Sequence, residues 1–94
     1  MKGKVTKKNI KDANVAAALA CNNYEAARAD ADTAFKVANK ASQAFDVNGS
    51  VDAYKAYVAA TRIYNAAIAT ADDAYYKCNI AKDNVAKLKE EYND

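Results

Sequence analysis

Histidine, proline and tryptophan are absent from this chain, and glycine occurs only at Gly3 and Gly49. Without histidine the sequence lacks the commonest general base and the commonest metal ligand. Cys21 and Cys78 alone make no zinc site, and two isolated glycines make no phosphate-cradling loop. Carboxylates do fall close together, at Asp30/Asp32 and Asp72/Asp73. Residues one or two apart on a helix point in different directions, so neither pair forms an acid–base dyad, and both read as solvated surface. The Glu-x-x-His pattern of helical carboxylate metal sites is missing too. The expectation is a chain that is not an enzyme, with no catalytic, cofactor or metal site. No apolar run approaches the ~18 residues of a membrane span.

Large aliphatic residues are also scarce. Leucine appears only at Leu19 and Leu88, isoleucine only at Ile10, Ile63, Ile68 and Ile80. What fills the 94 residues instead is alanine, the best helix former, with almost no breaker beside it. The cost is a thin core. A buried alanine removes about one methyl from water, roughly 0.8 kcal/mol, against roughly 1.5–3 for a buried Val, Leu, Ile or Phe. A single domain built this way gains much from a partner.

Apolar spacing organises the chain. Ile10, Ala13, Ala17, Ala20, Tyr24, Ala27, Ala31, Ala34, Ala38, Ala41 and Phe45 follow a 3,4 alternation. Ala53, Tyr57, Ala60, Tyr64, Ala67, Ala71, Ala74, Cys78, Ala81, Val85, Leu88 and Tyr92 continue it after a gap, and no charge interrupts either run. This is the seam pattern of a coiled coil, with a left-handed supercoil expected. The i,i+4 pairs Arg28/Asp32, Asp32/Lys36, Asp73/Lys77, Asp83/Lys87 and Lys87/Glu91 agree with helix. Asn22-Asn23 and Thr70 are possible breaks, yet the seam crosses both in phase, so two long helices are expected, about 8–46 and 51–91.

Between them lies Asp46-Val47-Asn48-Gly49-Ser50. Asn48-Gly49 suits the positive φ that ends a helix, and Ser50 suits the N-cap of the next. The turn, at 46–50, predicts an antiparallel hairpin in which facing residues have numbers adding to about 98. Nearly every large seam residue then meets alanine, as in Ala41/Tyr57 and Ala34/Tyr64, which fills a layer without voids. Residues 1–94 make one all-α domain: a two-helix hairpin with an alanine-rich seam. Spare apolar residues beside the seam (Phe35, Tyr54, Ile68 and Tyr75 on one side, Val37 and Ile63 on the other) predict dimerisation into a four-helix bundle.

Cys21 and Cys78 fall at one level of that hairpin. Level matching permits a disulfide, which needs Cα atoms within about 7 Å. Cys21 sits beside the seam, however, and the favoured expectation is two small buried thiols in a reducing cytosol.

The whole chain carries a net charge of +2. Lys2, Lys4, Lys7, Lys8 and Lys11 precede any acid, forming a basic arm over residues 1–11 that the helix dipole is expected to fray. A lysine arm without arginine or aromatic company is more simply solvated surface than a nucleic-acid contact. A leader ending at Ala18-Leu19-Ala20-Cys21 is disfavoured, because Asp12 and Asn14 interrupt the apolar stretch. The expected location is cytoplasmic, without membrane attachment.

Tyrosine is the remaining feature, concentrated after the turn. Tyr57, Tyr64 and Tyr92 belong to the seam. Aromatic and arginine side chains are enriched where proteins bind one another, so Tyr54, Arg62, Tyr75 and Tyr76 are the candidate partner contacts. The function expected is a non-enzymatic protein–protein interaction module: a small adaptor or inhibitor that occludes a partner complex, of the kind mobile elements carry. Two alternatives stand beside it, nucleic-acid binding through the basic arm and a structural homo-oligomer. Secreted helical hairpins of similar length carry Trp-x-Gly in the turn and a Tyr-x-x-x-Asp/Glu signal, and this chain has neither.

Overall fold

The computed structural model describes residues 4–93 as two helices, α1 (Lys7–Asn48) and α2 (Val51–Asn93), packed side by side as a hairpin. Neither helix breaks, at Asn22-Asn23 or at Thr70. Thr70 is accommodated because its Oγ1 donates back to the Ala66 carbonyl at 3.1 Å, which removes its competition with the backbone. The molecule is a rod of 69 × 19 × 13 Å.

α1 begins earlier than the expected 8, and its first turn is capped. Asn9 N–H donates to Thr6 Oγ1 at 3.1 Å, and Thr6 N–H donates to Asn9 Oδ1 at 3.0 Å. This reciprocal pair satisfies two backbone donors that would otherwise be orphaned. Lys8 then reaches Asp12 at 2.7 Å, so an acid one turn on offsets lysines that oppose the dipole. Lys7, Lys8 and Lys11 lie on α1 itself; Lys2 lies outside the described residues.

The turn falls inside the expected 46–50 but is tighter, because α1 runs on through Asn48 and leaves only Gly49 and Ser50 between the helices. Gly49 ends α1 in the left-handed region at φ 67, ψ 10, with its N–H donating to the Phe45 carbonyl at 2.7 Å. Ser50 caps α2, its Oγ accepting from Ala53 N–H at 3.0 Å. Two residues thus reverse the chain.

The expected seam is the buried surface. The buried side chains are Ala13, Ala17, Ala31, Ala38, Ala60, Ala71, Cys78 and Val85, all seam positions. The rest of the seam is half-buried, apart from Tyr92, which is 43% exposed at the far end of α2. None of the described side chains is completely enclosed. The interior is a strip one residue wide, as the shortage of large aliphatics requires. Of the i,i+4 ion pairs the spacing offered, only Asp73–Lys77 closes, at 3.0 Å. Exposed pairs gain too little to hold the others in one geometry.

Candidate functional site: an aromatic face on the hairpin

Residues seven apart on a helix lie on one stripe. Tyr54, Ile68 and Tyr75 share such a stripe on α2; Cys21, Arg28 and Phe35 share one on α1. The structure brings the two stripes to the same side of the rod. Three cross-helix aromatic pairs mark the alignment: Phe45–Tyr54 with ring centroids 5.4 Å apart, Phe35–Tyr64 at 5.4 Å, and Tyr24–Tyr75 at 5.1 Å. Each pair joins a seam ring to a flanking ring, and in each the residue numbers add to 99. Phe45 also stacks on Tyr57, nearly parallel at 4° and 6.4 Å.

The flanking rings remain half in water. Phe35, Tyr54 and Tyr75 are 50%, 51% and 52% exposed, and Ile68 adds an aliphatic surface between them. Tyr54 and Tyr75 are 21 residues apart, about 31 Å along a helix. The result is a row of apolar knobs over the half of the rod nearer the turn. Beside Tyr24–Tyr75 lies an open groove of about 310 Å³ with a floor of Ala31 and Ala71, walls of Tyr24, Tyr75 and Ile68, and a rim of Arg28, Asp32 and Asp72. The opposite side of the rod is plainer, with Val37 and Ile63 beside a groove of about 330 Å³.

The structure divides the expected contact residues. Tyr54 and Tyr75 stand on the aromatic face. Arg62 and Tyr76 do not: both are exposed one position further round α2, away from the α1 stripe. The arginine beside the aromatic row is Arg28. The sequence carried the signal for it, since 28 lies seven residues from both Cys21 and Phe35, but Arg28 became visible only once the two stripes were aligned. Tyr24, Phe35, Phe45 and Tyr64 were likewise readable as seam or flank, though not as partners. Lys4, Lys7, Lys8 and Lys11 are exposed at the other end of the rod, away from the aromatic row.

The two cysteines are joined. Cys21 and Cys78 form a disulfide with Cα atoms 4.6 Å apart, bridging 57 residues of sequence. The expectation of two separate thiols is corrected here. The flank position of Cys21, which argued against bonding, places its Sγ over the Cys78 seam position, just as Phe35 is placed over Tyr64. Cys78 is buried and Cys21 half-buried.

Among the described residues, no three His, Cys, Asp or Glu side chains gather where a metal ion could sit, and no helix is long and apolar enough to cross a membrane. No buried side-chain nitrogen or oxygen lacks a partner among them. Comparison with known protein families, with curated proteins and with solved structures finds nothing that matches this chain.

Proposed function

We propose that this chain is a non-enzymatic protein–protein interaction module, a small helical adaptor or inhibitor that acts by covering a surface of its partner. The observation that carries the reading is the row of half-exposed rings at Phe35, Tyr54 and Tyr75 on one face of a rigid rod. Rings held by a neighbouring ring bind with little further loss of side-chain freedom, and large anchors near an arginine are the usual source of binding energy at interfaces. Arg28, with Asp32 and Asp72, gives the rim of the groove a polar character suited to orienting a partner. The test is affinity capture with the wild-type chain and with the F35S/Y54S/Y75S variant, each checked for helicity. A protein held by the wild type and lost by the variant supports the reading. No retained protein, or retention indifferent to the variant, sinks it.

A second reading is favoured by a separate quantity. A compact monomer of 10.1 kDa exposes about 5300 Å² by the usual scaling, whereas this chain exposes 7195 Å². The surplus favours self-association through the same face, giving a four-helix bundle and a structural homo-oligomer. Light scattering decides it: a mass of twice 10.1 kDa at micromolar concentration supports the dimer, and a monomer at high concentration removes it.

The disulfide bears on location. Such bonds persist in oxidising compartments and are rare in the cytosol, so it favours a compartment outside the reducing cytoplasm over the cytoplasmic location expected from composition.

A further inference from the structure

The two ends of the rod are held by different means. At one end Gly49 and Ser50 close the hairpin covalently, and the four aromatic contacts all lie between that turn and the Tyr24–Tyr75 pair. At the other end, residues 7–20 of α1 and 79–93 of α2 meet without any aromatic pair. Their shared core is Ala13, Ala17 and Val85, with Ala81 and Leu88 packed against it. Even half-buried, each ring removes more apolar surface from water than an alanine, which offers only a methyl. The two ion pairs of the described residues, Lys8–Asp12 and Asp73–Lys77, each lie within one helix and tie nothing across. Lys7 and Lys8 open α1 and Glu90 and Glu91 close α2, so each of these ends carries charge of the dipole's own sign, offset at the start of α1 by Asp12 beside Lys8. One covalent link stands between these two regions, the Cys21–Cys78 bond.

We propose that this disulfide is a redox clasp: it holds the turn-remote arms of the hairpin together, and its reduction lets residues 7–20 and 79–93 separate while the aromatic half stays paired. The proposal is independent of what binds the aromatic face. The bond is open to attack from one side only, because Cys21 is half-buried whereas Cys78 is 4% exposed. A thiolate of a dithiol reductant attacks Cys21 Sγ and the S–S bond breaks. Cys78 leaves as a thiolate and takes a proton. The reductant's second thiolate then attacks the mixed disulfide, releasing Cys21, which also takes a proton. Two electrons pass from the dithiol to the protein, and the dithiol ends as its own cyclic disulfide.

Hydrogen exchange on the full chain, oxidised and then reduced with dithiothreitol, tests this. Reduction is expected to raise exchange in 7–20 and 79–93 by roughly tenfold or more, while amides of 24–75 change little. The C21A/C78A variant is expected to behave as the reduced chain does, with or without dithiothreitol. Unchanged exchange in the arms overturns the proposal, and so does loss of protection throughout 24–75. It fails as well if the chain, refolded in a glutathione redox buffer, still carries two alkylatable thiols.

Discussion

The ring of Phe35 on α1 rests against that of Tyr64 on α2, centroids 5.4 Å apart at 56°. It is the middle one of the three flank-over-seam pairs, and it ties the helices together where the seam itself is mostly alanine. A double-mutant cycle of F35A and Y64A is therefore expected to yield a coupling of about 0.5–1.5 kcal/mol. Denaturant melts of the wild type, both single variants and the double variant measure it. Additive effects would mean that the rings touch without interacting.

Gly49 offers a test of the backbone alone. A Cβ built on it meets nothing within 4 Å, yet its φ is +67. The cost of Gly49→Ala is therefore conformational and not steric, about 1–2 kcal/mol. Gly49→Asn is expected to lose less, because asparagine tolerates this region. Equal losses for the two in thermal melts would show that something other than φ constrains the turn.

Overpacking the seam is expected to be costly in a particular place. Ala31 is 5% exposed and faces α2 across the seam, with the groove opening to one side. Ala31→Leu should lower stability by about 1–3 kcal/mol or force the helices apart. The same change at Ala29, which is exposed on the same helix, should be nearly silent. Urea midpoints of the two variants make the comparison.

The start of α1 is expected to respond to both sequence and pH. Thr6→Ala removes the cap and should cost about 1 kcal/mol, with loss of helicity confined to the first turns. The hydrogen bond to Asp12, and then the charge of Asp12, hold Lys8 above its ordinary value of 10.5. A raised lysine stabilises the folded state at all pH values below 10.5, and that contribution disappears as pH climbs through the raised value. Both side chains are well exposed, so the effect is small. NMR titration of Lys8 in the D12N variant should return it to the ordinary value.

The seam was legible because helical spacing alone determines which residues can face a parallel neighbour. A 3,4 run needs no knowledge of the partner, and the buried residues all fell on it. Tyr92 departs because it sits at the level of Thr6 and Lys7, where α1 has only just begun. Legibility ended where two helices had to be combined. That Phe35 covers Tyr64, or that Arg28 and not Arg62 neighbours the aromatic row, depends on how a flank stripe of one helix is rotated against the seam of the other. The same rotation decided Cys21. Its level was visible, while the lateral offset that brings its sulfur over Cys78 was not. The Thr6 cap depends on Asn9 returning the hydrogen bond, which only the folded first turn brings about.

The alanine strip has a hydrodynamic consequence. Because it lets two long helices lie together without folding back on themselves, the radius of gyration is 20.7 Å. A compact chain of 94 residues has about 12 Å. The monomer therefore tumbles anisotropically and elutes from a sizing column ahead of globular standards of equal mass. Its radius of gyration exceeds even the roughly 16 Å of a compact dimer, so self-association has to be read from mass and not from elution volume.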